Sequence, residues 1–161
     1  MAGCELLEAP AVGSGNRYWK FALPVAPLLL REFQGSPAGG QEQSEGGESV
    51  AQENGGDGLQ WASTPEERTR LWTARHHAFF AALQSRPGCV AITTDTCVPI
   101  SQLAENVTAA LRVVDEAGIP HFLVGHVGDG NFHVGYLIDP ALPEERAMAR
   151  RLNHQLVQRA R

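Results

Sequence analysis

The chain has few cysteines, few basic residues and no long apolar run, and each scarcity excludes a class of protein. Its three cysteines, Cys4, Cys89 and Cys97, lack CxxC spacing, which disfavours a disulfide framework or a zinc knuckle and fits a reducing compartment. Thirteen basic against eighteen acidic residues give a net charge of -5, so no nucleic-acid-binding surface is expected. The longest apolar stretch, residues 21–30, contains two prolines and is too short to span a bilayer. Residues 1–14 carry no recognisable targeting peptide.

Common nucleotide-binding and hydrolase motifs are absent as well. The sequence contains no GxGxxG after a predicted strand, no Walker loop and no GxSxG elbow. At 161 residues and 43% hydrophobic composition, the chain is large enough for one domain with a buried core. Residues 35–58 differ from the rest, because they hold eight of the seventeen glycines and five acidic residues but no Lys or Arg. This composition predicts a solvated flexible segment, with a frayed helix around residues 41–52 as the alternative.

The most informative stretch is a glycine-rich turn between two apolar runs, GHVGDGNFH at residues 125–133. Asp-Gly between apolar runs predicts a β-hairpin, here with Asp129 and Gly130 as a two-residue loop. This pairing places His126 directly opposite His133 on the same face, with Cβ atoms about 5 Å apart. That separation suits chelation of one divalent ion, although zinc usually takes three or four ligands and Asp129 points away. Metal binding or catalysis is one interpretation of the pair, and packing of the hairpin is the other.

A second candidate residue, Arg75, lies within an amphipathic helix. Thr64, followed by Pro65 and Glu67, predicts a capping box, and the helix is expected to continue to about Gln84. Its apolar stripe consists of Leu71, Trp72, Ala78, Phe79, Ala82 and Leu83. Because Arg75 falls inside this stripe, its guanidinium requires an anionic partner. That partner is either a neighbouring carboxylate, for which Asp95 is conceivable, or the carboxylate of a substrate.

The remaining patterns define the fold class. Strands are predicted at residues 25–33 and 89–98, and helices at 102–117, ended by Gly118, and at 143–161. Residues 1–15 are expected to be a loosely ordered leading segment. The order of elements predicts an α+β fold, in which an antiparallel sheet has helices packed on one face.

Together these motifs resemble the C-terminal domain of the FAD-linked oxidases of the vanillyl-alcohol-oxidase type. Residues 16–161 are therefore interpreted as part of such a domain, which is ferredoxin-like in its relatives. The run at residues 95–101 favours the branch formed by the mitochondrial FAD-dependent D-lactate dehydrogenases. The resembling segments are Asn16-Arg17-Tyr18, Ala26-Pro27-Leu28-Leu29-Leu30, Glu32-Phe33-Gln34-Gly35-Ser36, Leu71-Trp72-Thr73-Ala74-Arg75-His76, Arg86-Pro87-Gly88-Cys89, Asp95-Thr96-Cys97-Val98-Pro99-Ile100-Ser101 and Gly125–His133.

The resemblance implies a function and assigns roles to particular residues. Enzymes of this branch oxidise a small D-2-hydroxy acid to the 2-oxo acid, transfer a hydride to FAD and reduce an acceptor such as cytochrome c in the mitochondrion. By the same resemblance, His126 and His133 bind a divalent metal, zinc or manganese. Arg75 holds the substrate carboxylate, and Asn131 lies near the flavin or the substrate.

Two parts of the family pattern do not occur in these residues. The FAD-binding domain is absent, and so is the Gly-Glu-His-Gly motif that supplies the third metal ligand and the catalytic base. The chain is therefore expected to be a fragment without turnover of its own, and no catalytic base is assigned to it. The alternatives are a non-catalytic metal- or partner-binding domain and a purely structural role for the His pair.

Overall fold

In the computed structural model, which describes residues 3–160, six strands form one antiparallel sheet. The spatial order is β2-β1-β5-β6-β3, and β4 also pairs with β6. The strands are β1 (Gly3–Leu7), β2 (Leu28–Glu32), β3 (Val90–Thr93), β4 (Thr96–Cys97), β5 (His121–His126) and β6 (Asn131–Ile138). The helices are α1 (Ala9–Trp19), α2 (Pro37–Glu53), α3 (Pro65–His76), α4 (Ala78–Ser85), α5 (Ile100–Ala117) and α6 (Pro143–Arg159). The predicted α+β class with an antiparallel sheet is confirmed.

Helices cover both faces of this sheet, so the expectation that they pack on one face is wrong. On one face, residues of α1 and α4 pack with Phe122 and Val124 of β5. On the other face, residues of α5 and α6 pack with Leu123 of β5 and with β6. Neighbouring residues of a strand point to opposite faces, so the consecutive apolar residues of β5 require cover on both sides.

Residues 3–15 are not loosely ordered, as was expected of residues 1–15, but form β1 and most of α1; residues 1 and 2 lie outside the described part of the chain. β1 lies inside the sheet between β2 and β5. α1 follows directly, with a proline in its first turn, where the missing N–H removes no helical hydrogen bond. The sequence signal was weak because β1 has only five residues and includes Glu5 among its apolar side chains.

The glycine-rich segment at residues 35–58 is mostly the helix α2, so the expected loop is wrong and the helical alternative is the better description. The Ser36 hydroxyl caps the helix by accepting a hydrogen bond from the Gly39 amide at 3.2 Å. A Cβ at Gly47 would overlap the guanidinium of Arg31, which is the flexible end of an exposed side chain.

Two elements that the sequence predicted as continuous are interrupted. The capping box at Thr64 is confirmed, but the helix ends at His76 and resumes as α4, with His77 between them at φ -101° and ψ 2°. The strand expected at residues 89–98 is divided into β3 and β4. The helix expected from Pro143 is confirmed as α6, and its expected last residue, Arg161, lies outside the described residues. Within residues 3–160, no helix combines the length and apolar character needed to cross a bilayer.

Candidate functional site

The β5–β6 hairpin has a different register from the one that the Asp-Gly motif predicted. His126 faces Asn131, and Val124 faces His133, so direct opposition of the two histidines is wrong. The turn contains a 3-10 segment, Val127–Asp129, followed by Gly130 at φ 75°, a left-handed conformation that favours glycine. The loop therefore has four residues instead of two.

The two histidines nevertheless share one face of the sheet, as predicted. A register shift of two residues keeps every side chain on its own face, so the imidazoles become diagonal neighbours. The rings of His126 and His133 meet edge to face, with centroids 5.6 Å apart. His126 is 49% exposed and His133 is 26% exposed, so both rings are accessible from solvent.

Glu5 of β1 orients the ring of His126. Its Oε1 lies 2.7 Å from Nδ1 of His126, on the strand directly beside β5. Because a carboxylate only accepts hydrogen bonds, this contact favours the tautomer of the neutral ring that has its proton on Nδ1 and its lone pair on Nε2.

A backbone carbonyl orients the ring of His133 in the same way. Nδ1 of His133 lies 3.0 Å from the carbonyl oxygen of Thr94, and 3.6 Å from Oδ1 of Asp95. A carbonyl oxygen also only accepts, so the neutral ring of His133 likewise has its proton on Nδ1 and its lone pair on Nε2. Imidazoles held by a carboxylate or carbonyl at one nitrogen are the arrangement found in metal sites, where the other nitrogen is the ligand.

Arg75 has the anionic partner that its position on the apolar stripe required. Its Nε donates to Oε2 of Glu5 at 2.7 Å, and the two side chains are only 15% and 12% exposed. The conceivable pairing with Asp95 is wrong. Within residues 3–160 the hydrogen bonds of Arg75 involve Nε alone, so Nη1 and Nη2 have no protein acceptor there.

Asn131 completes a row of polar side chains across adjacent strands. Its amide nitrogen donates to Oδ1 of Asp95 at 2.8 Å, and it faces His126 on one side and Cys97 of β4 on the other. The Cys97 side chain is exposed, and its Sγ lies 3.7 Å from the carbonyl oxygen of Asp129. The fold thus brings Arg75, which is distant in sequence, to the end of the sheet that carries His126, Asn131 and His133.

Sequence reasoning missed Glu5, which joins two of the predicted site residues. The available signal was a carboxylate inside the short strand CELL, where a charged side chain needs a partner. In the part of the chain that the structure describes, no group of three or more His, Cys, Asp or Glu residues is arranged to hold a metal ion.

Comparisons with known proteins bear on this site. The family model for FAD linked oxidases, C-terminal domain, matches residues 1–161. The chain is 38% identical over 160 residues to "Probable D-lactate dehydrogenase, mitochondrial" of Danio rerio, a match that covers 99% of this chain and 32% of that protein. It is 35% identical over 156 residues to "D-lactate dehydrogenase [cytochrome], mitochondrial" of Arabidopsis thaliana, covering 97% and 28% respectively. A third relative, "Glycolate oxidase subunit GlcD" of Bacillus subtilis, is 31% identical, covering 82% and 28%. The chain spans about a third of the length of these curated relatives.

Proposed function

Because the chain belongs to the family of FAD-linked oxidase C-terminal domains, we propose that it provides the substrate- and metal-binding surface of a flavin-dependent D-lactate dehydrogenase. The observation that carries the proposal is the pair of imidazoles whose Nδ1 atoms lie against oxygen acceptors, on the same sheet face as the Glu5 carboxylate that pairs with Arg75. The names of the relatives from Danio rerio and Arabidopsis thaliana support D-lactate, or a similar D-2-hydroxy acid, as the substrate.

The reaction converts a 2-hydroxy acid to a 2-oxo acid, so a hydride leaves C2 and a proton leaves the hydroxyl group. Arg75 binds the substrate carboxylate, since its two Nη atoms form a planar pair of donors with no protein acceptor among residues 3–160. His126 and His133 would hold zinc or manganese, which as a Lewis acid lowers the pKa of the substrate hydroxyl. FAD, when bound, supplies the hydride acceptor, and the role proposed for Asn131, which faces His126 across the hairpin, is a contact with the flavin or the substrate. No residue of this chain is assigned as the proton acceptor.

The location and the electron acceptor belong to the same proposal. The relatives from Danio rerio and Arabidopsis thaliana are named mitochondrial, and the second is named for a cytochrome. We accordingly propose mitochondrial location and electron transfer to cytochrome c for the protein that contains this domain.

Titration with zinc or manganese, followed by calorimetry, tests the metal-binding part. His126→Ala and His133→Ala are each expected to weaken binding at least tenfold, because each removes one of two ligands. His154→Ala is the matched control, since this exposed imidazole lies on α6. Unchanged affinity in both site variants would overturn the metal site and favour the packing role of the His pair.

A non-catalytic metal- or partner-binding domain is the second candidate, favoured by the observation that residues 3–160 contain no group of three or more His, Cys, Asp or Glu residues arranged around one metal ion. The two functions differ in the effect of substrate. If the site binds D-lactate, the compound should raise manganese affinity in the parent chain but not in Arg75→Met, and L-lactate should have a smaller effect. Equal effects of both enantiomers, or none, would favour the non-catalytic function. The 161-residue chain alone is expected to show no D-lactate-dependent dye reduction.

A further inference from the structure

We propose that Glu5 is a positioning residue, which fixes the proton of His126 on Nδ1 and at the same time anchors Arg75 through Nε. The proposal rests on the proposed function for its consequence in metal binding, but the proton position itself is a property of this chain alone. Glu5 lies on β1 and forms hydrogen bonds with two of the sequence-predicted site residues, Arg75 and His126.

The two oxygens of Glu5 serve different donors. Oε1 accepts from Nδ1 of His126 and Oε2 accepts from Nε of Arg75, each at 2.7 Å. The carboxylate is 12% exposed, and β1, which carries it, pairs with both β2 and β5. Charge-assisted hydrogen bonds of this length in a largely buried position hold both partners in a defined orientation.

The chemistry of an amide shows why a carboxylate is required. In Glu5→Gln the side chain offers one acceptor and one donor in place of two acceptors. Arg75 can only donate, so the amide oxygen turns towards Arg75 and the amide NH2 turns towards Nδ1 of His126. That nitrogen must then accept, and the ring proton moves to Nε2. The same exchange in the catalytic triad of serine proteases also traps the wrong tautomer.

Anchoring through Nε has a second consequence, for Arg75. The guanidinium is planar, so a hydrogen bond at Nε fixes the plane and therefore the directions of both Nη atoms. The positive charge is balanced by Glu5 before any ligand arrives, which limits the cost of partial burial. Without the Glu5 carboxylate, neither the Arg75 guanidinium nor the His126 ring is held in its orientation.

The experiment is long-range 1H–15N correlation of the imidazole rings, at a pH about two units above the ordinary imidazole pKa. In the parent chain, His126 and His133 are expected to show pyrrole-type Nδ1 and pyridine-type Nε2. In Glu5→Gln, His126 is expected to exchange the two signatures, while His133, which is held by Thr94, keeps its own. Glu145→Gln is the matched control, because it alters another carboxylate paired with an arginine at 2.7 Å and leaves both histidines untouched.

Each outcome decides the proposal. A pyridine-type Nδ1 on His126 in the parent chain overturns it without any variant, so the test remains valid if Glu5→Gln does not fold. An unchanged His126 in a folded Glu5→Gln also overturns it. Zinc affinity should fall about 10- to 100-fold in Glu5→Gln and stay constant in Glu145→Gln. If the rings show the expected tautomers but the protein binds no zinc, the positioning role of Glu5 stands and only the proposed metal function is contradicted.

Discussion

The Thr94 hydroxyl, between β3 and β4, accepts the hydrogen bond from Val134 of β6 that the Thr94 carbonyl would accept in a regular antiparallel ladder. The Val134 amide donates to Oγ1 of Thr94 at 2.9 Å, and the Thr94 amide donates to the Val134 carbonyl at 2.9 Å. The Thr94 carbonyl is thereby available to accept from Nδ1 of His133. An interruption of the strand thus provides the acceptor that orients a candidate ligand.

Replacing this hydroxyl is expected to destabilise the fold. In Thr94→Val the Val134 amide and the His133 ring compete for one carbonyl, so one donor in a buried region loses its partner. The expected loss is about 1–3 kcal/mol in the free energy of unfolding, measured by urea denaturation.

Thr96→Val provides the matched control for this substitution. Thr96 is also 4% exposed, but its buried hydroxyl has no hydrogen-bond partner in the described part of the chain. Removing a hydroxyl of this kind is expected to be neutral or stabilising. Equal losses in Thr94→Val and Thr96→Val would contradict the role given to the Thr94 hydroxyl.

Glu8, which precedes α1, is expected to make stability depend on pH. Its Oε2 is buried without a partner among residues 3–160, and burial, together with repulsion from Asp115, raises the pKa of Glu8 from 4.5 to about 7. Because the folded state binds the proton more tightly, this contribution to stability is full below pH 4.5 and is lost as the pH rises through about 7.

Glu8→Gln should therefore stabilise the protein at alkaline pH by about 1 kcal/mol, a value discounted for partial solvent access, and should have little effect near pH 4.5. Thermal melts of the parent protein and of Glu8→Gln across this pH range measure their difference in stability. Groups that titrate in both proteins contribute equally and drop out of this difference. Glu105→Gln, on the exposed side of α5, controls for the loss of one negative charge. A constant difference at every pH would contradict the raised pKa.

Gly130, at the end of the hairpin turn, should tolerate alanine poorly for two reasons. Its φ of 75° is unfavourable for other residues, and a Cβ there would overlap the carbonyl oxygen of Val98. Gly118 has a similar φ of 66° but open space around it, so Gly118→Ala measures the conformational cost alone, about 1 kcal/mol. Gly130→Ala is expected to cost clearly more in thermal melts, and equal costs would show that the turn can move away from Val98.

Arg86 is expected to contribute more to stability than a surface arginine. Its two Nη atoms each lie 2.7 Å from an oxygen of Glu145, and Nη1 also donates to the Leu137 carbonyl at 2.7 Å. These hydrogen bonds lower the pKa of Glu145, so their contribution is present above pH 4.5 and is lost in acid.

Arg86→Met should therefore lower the urea midpoint at neutral pH far more than Arg112→Met. Arg112 meets Glu116 only at 4.0 Å, with both side chains mostly exposed, and its replacement should change stability by less than about 0.5 kcal/mol. Equal midpoints for the two variants would show that the Arg86 network has no net effect.

Features set by a few neighbouring residues were predictable from the sequence. The capping box at Thr64 and the helix end at Gly118 depend on side chains and backbone angles within one turn, and both are confirmed. The hairpin register was not predictable in the same way. A slip of two residues preserves the face of every side chain, so the apolar pattern around Gly130 fits both registers equally well.

The sequence allowed the residues of the candidate site to be predicted, but not the hydrogen bonds that join them. The motif indicated that His126 and His133 share a face, and the stripe indicated that Arg75 needs an anion. Which carboxylate supplies that anion depends on a strand pairing between β1 and β5, and local pattern contains no information on distant pairing. The partners of Glu5 could therefore be identified only once the sheet order was known.

The position of β1 inside the sheet has a consequence for how the chain folds. Glu5 and His126 are 121 residues apart, so their contact requires closure of a very long loop. Pairings of this kind form slowly, and during synthesis β1 remains without its inner neighbour until β5 has emerged. Until then the backbone amides and carbonyls on that edge of β1 have no strand partner, and they are open to pairing with other chains.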